Sequence, residues 1–142
     1  MENYKELVAA AISAREMAYI PYSGFGVGAA LLTKSGKIYK GCNIENATLT
    51  PTNCAERTAF FKAVSDGETE FQCIAIVGGR KGEPVSEPCP PCGVCRQVMM
   101  EFCDPATFQI ILGKGPEQWD VYTLKDLLPL GFSRKNMEEK HD

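Results

Sequence analysis

The stretch Pro-Cys-Gly-Val-Cys at residues 91–95 places two cysteines three positions apart, where a loop rich in Gly and Pro gives way to a predicted helix. A second stretch, Asn-Cys-Ala-Glu-Arg at residues 53–57, opens another predicted helix with a third cysteine. A catalytic zinc takes three protein ligands in a tetrahedron and leaves the fourth position to water. Because helix N-termini also stabilise thiolates, we expect these stretches to meet around a metal held by Cys54, Cys92 and Cys95.

Apolar periodicity around the two stretches predicts alternating helices and strands. Helical spacing of apolar residues predicts helices over residues 3–20, 54–66 and 92–103. Short apolar runs predict strands over residues 25–33, 38–44, 73–77 and 107–112, with a fifth near Val121.

Local signals refine this pattern. Asn53 is a good N-cap for the second helix, and Pro91 suits the entry of the third. The link at 113–118 is too short for a crossover helix, so the fifth strand should pair antiparallel with the fourth. Residues 123–126 are typical of a capping box that opens a short helix through Leu128. We therefore predict an α/β fold with a mixed sheet covered by helices on its faces.

Length and charge limit the classes of function. The chain has 142 residues, which suits one domain, placed here at residues 1–133 and followed by a charged tail at 134–142. With 15 Lys and Arg against 18 Asp and Glu, it lacks the basic excess expected of a nucleic-acid or membrane-surface binder. Neither a signal-peptide core nor a run of about 18 apolar residues is present, so we expect a cytoplasmic protein.

The cysteine and histidine content narrows the chemistry. Seven cysteines in a reducing compartment are read as thiols or metal ligands rather than as a disulfide framework. The only histidine, His141, lies in the tail, so Ser/His/Asp and Cys/His catalysis are not expected. Acid/base chemistry must then come from a carboxylate, a lysine or a tyrosine.

Several interpretations of these residues stay open on spacing alone. The Cys-x-x-Cys pair could be a redox pair, or could join Cys54 and Cys89 in a closed structural zinc site. We favour Cys92 with Cys95, because an extended path through Pro90 and Pro91 would separate Cys89 from Cys92 by about 9 Å. Glu56, three residues after Asn53, fits a capping box as well as catalysis. The other cysteines are most simply small buried hydrophobes: Cys42, Cys73 and Cys103.

The two stretches together resemble the zinc signature of the cytidine deaminases, Cys-Ala-Glu-Arg followed by Pro-Cys-Gly-Val-Cys-Arg-Gln. Further segments are similar to the small, homotetrameric, free-nucleoside branch of that family: residues 21–32, 41–47 and 127–132. The resemblance runs from about Tyr19 to Phe132. It implies a three-layer α/β/α fold with a mixed five-stranded sheet, a zinc cofactor and a homotetramer.

The resemblance, rather than the spacing, supplies a mechanism. It implies hydrolytic deamination of cytidine and 2′-deoxycytidine to uridine and 2′-deoxyuridine, with release of ammonia, in pyrimidine salvage. Cys54, Cys92 and Cys95 would hold Zn²⁺, whose bound hydroxide attacks C4 of the base. Glu56 would shuttle protons between the water, the base N3 and the departing ammonia.

Other matched positions imply substrate and metal-site contacts. Asn43 and Glu45 match residues that bind the ribose 3′-hydroxyl, the Ala55 N–H would meet the base O2, and Phe25 would lie against the ring. Arg57 would hydrogen-bond the thiolates and offset the net negative charge of a three-thiolate zinc. Phe132 would close a neighbouring subunit's site, with a buried core position as the alternative.

One position departs from the family pattern, and two relatives within the superfamily remain as alternatives. Leu49 stands where several relatives carry an aromatic residue that reaches a neighbouring subunit. A blasticidin-type deaminase would share the zinc signature, but Asn43 and Glu45 favour a ribose. An RNA or DNA deaminase would need a basic surface and a helix between its last strands.

Overall fold

A five-stranded sheet forms the centre of the chain in the computed structural model, which describes residues 4–138. The strands are β1 (Phe25–Thr33), β2 (Ile38–Cys42), β3 (Phe71–Arg80), β4 (Gln109–Gly115) and β5 (Gln118–Thr123). The helices are α1 (Tyr4–Arg15), α2 (Ala55–Ser65), α3 (Gly93–Phe102), α4 (Leu124–Leu127) and α5 (Arg134–Met137). None of the helices within this range has the length and apolarity to cross a membrane.

The strands lie in the order β2-β1-β3-β4-β5, and the sheet is mixed, as predicted. The β3–β4 pair is parallel, with Cys73 opposite Gln109, whereas the other three pairs are antiparallel. A parallel pair needs a crossover connection, which α3 supplies. The short link after β4 makes the β4–β5 hairpin antiparallel, which confirms that prediction.

Side-chain alternation along the strands divides the core between two faces. In β1, Ala30 and Leu32 pack in a cluster with α1, whereas Ala29 and Leu31 pack in a cluster with α2 and α3. Phe60 of α2 is fully buried at the centre of the second cluster. Its ring centroid lies between 5.0 and 6.2 Å from three other rings, those of Phe71, Phe102 and Phe108. These layers confirm the α/β/α expectation.

A glycine in β2 lets α2 lie directly on the sheet. A Cβ built on Gly41 would stand 2.4 Å from the Ala55 carbonyl oxygen and 2.6 Å from the Ala59 nitrogen. Real Cβ atoms do not approach backbone this closely, so any larger residue would push the first turn of α2 outward. The position of the residues around Cys54 therefore depends on this backbone-to-backbone contact.

The first helix is shorter than predicted, because α1 ends at Arg15 rather than at residue 20. Residues 16–18 continue in i→i+3 turns, and Met17, placed on the buried stripe by its spacing, is 77% exposed. Tyr19 then exchanges backbone hydrogen bonds with Asn43 and Glu45, which draws its backbone out of the helical path. A contact distant in sequence decides the end of this helix.

Other predicted boundaries shift for similar reasons. The β2 strand stops at Cys42, and Ile44 forms isolated bridges with Tyr19 and Asn53 instead. The β3 strand extends from residue 71 to residue 80, beyond the predicted 73–77, because β1 pairs with it throughout that length. Residues 134–137, predicted as tail, form α5, and His141 lies outside the described residues.

Candidate metal and catalytic site

The helices α2 and α3 each begin with a cysteine as the N-cap residue. Cys54 caps α2 and Cys92 caps α3, and both have extended backbone angles. The sequence prediction of Asn53 as cap is wrong, because both backbone groups of Asn53 pair with Ile44. Each cysteine sulfur therefore lies beside the free N–H groups and positive dipole end of a helix.

Three sulfurs from these two helix starts come together. The Cys54 Sγ lies 3.7 Å from the Cys92 Sγ, which lies 3.5 Å from the Cys95 Sγ, and all three are within 4.8 Å of one another. A tetrahedral zinc with Zn–S bonds of about 2.3 Å requires sulfurs about 3.8 Å apart. The cluster therefore fits three corners of a zinc tetrahedron. It is the only such group of metal-ligating side chains found within residues 4–138.

Cys89 lies outside this cluster. Its side chain packs over Gly78, where an added Cβ would stand 2.7 Å from the Cys89 sulfur and 3.2 Å from the Phe25 ring. Burial raises the pKa of the Cys89 thiol to about 11. The geometry thus agrees with the choice of Cys92 and Cys95 made from the sequence.

The positively charged side chain of Arg57 contacts the sulfur cluster directly. Its Nη2 donates to the Cys54 sulfur at 3.2 Å. Hydrogen bonding with Cys95 and then with Arg57 lowers the pKa of Cys54 to about 5, which favours the thiolate form of this sulfur. The Arg57 Nε is buried without a hydrogen-bond partner among the described residues. An unused donor beside a thiol cluster suits a site that gains negative charge when a metal deprotonates its ligands.

Glu56 is a buried carboxyl group in the first turn of α2, between Ala55 and Arg57. Its side chain is 4% exposed, and burial raises its pKa to about 7, with a smaller contribution from Cys54. Because Cys54 is the N-cap, Glu56 is at the second helical position, and α2 has no side-chain cap hydrogen bond. The capping-box interpretation of Glu56 is therefore wrong. A carboxyl group with a pKa near neutrality suits proton transfer in both directions.

The predicted ribose-binding residues lie on the segment after β2. The Asn43 Oδ1 accepts from the Val27 N–H at 2.9 Å, and its Nδ2 donates to the Phe25 carbonyl at 2.9 Å. Glu45 accepts from the N–H groups of Tyr22 and Ser23 at 3.0 and 3.1 Å. These hydrogen bonds hold both side chains beside the start of β1.

Ser23 connects this group to Phe25, and the sequence pattern did not identify it. The Ser23 hydroxyl donates to Glu45 and accepts from the Phe25 N–H at 3.0 Å. The hydrogen bond from Ser23 lowers the pKa of Glu45, so the carboxylate stays ionised. The only sequence signal was its place in the matched segment at residues 21–32, which does not show what a hydroxyl contacts.

The remaining predicted residues differ in exposure. Ala55 is buried at the first helical position of α2, where its N–H is one of the free donors of that terminus. The Phe25 ring is 40% exposed. Phe132 is 57% exposed, so the alternative of a buried core position is wrong, and Leu49 is 80% exposed. Phe132 is therefore free to contact another molecule.

A three-layer domain that brings three thiols and a buried glutamate to adjoining helix N-termini has the design of a zinc-dependent hydrolytic enzyme. Residues 1–111 match the family model of the cytidine and deoxycytidylate deaminase zinc-binding region. The chain belongs to this family, and it is a zinc-binding enzyme of the hydrolase class.

Individual relatives extend the match over nearly the whole chain. The cytidine deaminase of Sporosarcina psychrophila is 49% identical over 135 residues, which cover 95% of each chain. That of Halalkalibacterium halodurans is 49% identical over 133 residues, covering 94% of this chain and 96% of its own. The crystal structure of cytidine deaminase from Burkholderia pseudomallei aligns with a TM-score of 0.81 at 47% identity. The alignment covers 91% of this chain and 98% of that chain.

The cysteine geometry predicts which thiols retain zinc. We expect Cys89→Ser to purify with about one zinc per chain, like the unmodified protein, because its sulfur is not among the three clustered ligands. We expect Cys95→Ser to lose most of its zinc, since one tetrahedral corner is removed. Elemental analysis of both variants measures this difference. Loss of zinc from Cys89→Ser would instead indicate a closed four-cysteine site.

Proposed function

We propose that this chain hydrolyses cytidine and 2′-deoxycytidine to uridine and 2′-deoxyuridine, with release of ammonia. The observation that carries the proposal is the buried Glu56 carboxyl group two residues after Cys54, in the helical turn that begins at the three-thiol cluster. Membership of the cytidine and deoxycytidylate deaminase family supports a substrate with a cytosine base. Because the products are uracil nucleosides, we place the reaction in pyrimidine salvage, and we propose a cytoplasmic location.

Proton transfer is the part of the reaction that the protein itself performs. A zinc held by Cys54, Cys92 and Cys95 would supply Lewis-acid activation of the attacking water. Glu56 accepts the proton of that water as its oxygen adds to C4 and delivers a proton to the base N3. It then takes the second proton from the hydroxyl now on C4 and passes it to the amino group, which leaves as ammonia as the C4 carbonyl forms. One carboxyl group with a pKa of about 7 serves as base and then as acid.

One group of residues would orient the base of the substrate, and another would orient its ribose. The Ala55 N–H at the start of α2 would donate to the base O2, and the Phe25 ring would cover the base. Asn43 and Glu45 would bind the ribose 3′-hydroxyl, for which each retains hydrogen-bonding capacity beyond its contacts with β1 and Ser23. A site that recognises only the 3′-hydroxyl accepts both ribose and deoxyribose.

Neither alternative within the superfamily is as well supported. The acidic net charge of −3 disfavours a polynucleotide substrate, and β4 and β5 join in a tight hairpin rather than through a helix. A blasticidin-type substrate lacks the ribose for which Asn43 and Glu45 are placed.

A direct assay tests the proposed reaction. We expect zinc-loaded protein to convert cytidine to uridine, followed by the change in ultraviolet absorbance. Glu56→Gln, which has nearly the same shape but cannot carry the proton, should slow turnover by at least about 10²-fold. The absence of uridine with fully loaded protein, or an undiminished rate in Glu56→Gln, would refute the proposal.

The contact between Arg57 and Cys54 predicts a separate effect on turnover. Arg57→Ala should leave the zinc content unchanged, since all three sulfurs remain. It should lower turnover by about 10–100-fold, because the thiolates would lose a hydrogen bond and their compensating charge. Metal analysis and the cytidine assay on the same samples separate the two effects, and Arg57→Lys is the charge-matched control. Normal turnover in Arg57→Ala would rule out this role.

We also propose a homotetramer, in which Phe132 reaches a neighbouring site. Large apolar side chains that remain exposed support association: Met17, Tyr19, Ile44, Leu49, Phe61 and Phe132. Analytical ultracentrifugation should find particles of four chains, and a stable monomer at micromolar concentration would contradict the assembly.

A further inference from the structure

Two adjacent side chains of α3 reach three backbone carbonyls that are far apart in the sequence. Arg96 donates through Nε to the Pro91 carbonyl at 2.8 Å and through Nη1 to the Leu127 carbonyl. Gln97 donates through Nε2 to the Phe132 carbonyl at 2.8 Å. Pro91, the residue before Cys92, and the segment at 127–132 are therefore both hydrogen-bonded to the same turn of α3.

The Pro91 carbonyl controls the direction in which Cys92 enters the site. A peptide unit is planar, so fixing its oxygen also fixes the plane that contains the next Cα. Pro91 is buried, and Arg96 satisfies its carbonyl where solvent has little access. Cys92, one residue later, is the most exposed of the three clustered cysteines. Its own hydrogen bonds are to the first turn of α3, where its carbonyl accepts from the Arg96 N–H and its sulfur accepts from the Cys95 N–H. The Arg96 side chain adds a contact on the other side of Cys92, at the Pro91 carbonyl, and so restrains the chain where it enters the site.

The Leu127 carbonyl belongs to the end of a helix of four residues, where carbonyls have no partner within the helix. The Leu127 and Leu128 side chains pack on the core, whereas Leu130 is fully exposed and has a positive φ of 55°. Gly131 does pack near Leu128 and Met100. Besides the packing of Leu127 and Leu128 on the core, the backbone of the segment at 127–132 is tied to α3 by the hydrogen bonds of Arg96 and Gln97.

We propose that Arg96 is a positioning residue that couples the metal ligand Cys92 to the segment at 127–132. Its planar guanidinium spans both carbonyls at once, which a lysine ammonium cannot do. When a metal fixes Cys92, the Pro91 carbonyl, Arg96 and Leu127 become more ordered, and the segment carrying Phe132 is held more firmly. The inference rests on the proposed metal site, and it adds a link from metal binding to the surface that would meet a neighbouring subunit.

Zinc affinity and amide hydrogen exchange test this coupling in the full chain. In the unmodified protein we expect zinc to slow exchange over residues 127–132. In Arg96→Ala we expect zinc affinity, measured by competition with a chelator, to fall about 10–100-fold. The exchange of residues 127–132 should then be fast and insensitive to zinc. Arg96→Lys, which keeps the charge and the alkyl stem, should show both defects in weaker form.

Gln97→Ala is the matched control, because it releases the Phe132 carbonyl and leaves the Pro91 contact intact. It should speed exchange near Phe132 with no change in zinc affinity. Unchanged zinc affinity in both Arg96 variants, together with a normal exchange response, would overturn the coupling. If Arg96→Ala does not fold, the same two measurements on Arg96→Lys decide the question. An unmodified chain that bound no zinc would contradict the metal site itself, and the coupling with it.

Discussion

The site depends on two helices beginning at the same place on one face of a sheet. Gly41 permits this arrangement, since its bare backbone lies where any Cβ would meet the Ala55 carbonyl at 2.4 Å. With α2 held this close, Cys54 at its N-cap lies 3.7 Å from Cys92 at the N-cap of α3. Both sulfurs then lie at the positive ends of helix dipoles, where thiolates are favoured. The close packing of α2 on the sheet thus places the cysteine sulfurs where they can bind a metal.

Burial and charge then divide the roles of neighbouring residues. Three sulfurs around a divalent ion leave a net negative charge, which opposes the ionisation of a bound water. Arg57 lies against one of the sulfurs and carries a spare buried donor, so it can offset that charge. Glu56, one position earlier, is turned into the protein, where burial raises its pKa to about 7. In the proposed reaction, Arg57 would supply a fixed positive charge and Glu56 a mobile proton from the same helical turn.

The sequence predicted the features that local patterns control. The bounds of β1 were predicted correctly from a run of small and apolar residues, and the capping box of Thr123 and Asp126 was predicted from its spacing. The metal cluster was also foreseen, because a Cys-x-x-Cys at a helix start confines two sulfurs to one place. The role of Glu56 came from family resemblance, since its spacing fitted a cap equally well. Contacts distant in sequence explain the errors: Tyr19 pairs with Asn43, and Asn53 pairs with Ile44. The hydrogen bonds of Ser23 and Arg96 left no pattern that spacing could reveal.

The proposed chemistry requires an open zinc site with three sulfur ligands and one position left for water. X-ray absorption at the zinc edge on the substrate-free, zinc-loaded protein tests this claim most directly. The clustered cysteines predict three sulfur scatterers at about 2.3 Å and one oxygen or nitrogen scatterer at about 2.0 Å. Four sulfur scatterers would instead show a closed structural site and would rule out a bound water at the fourth position.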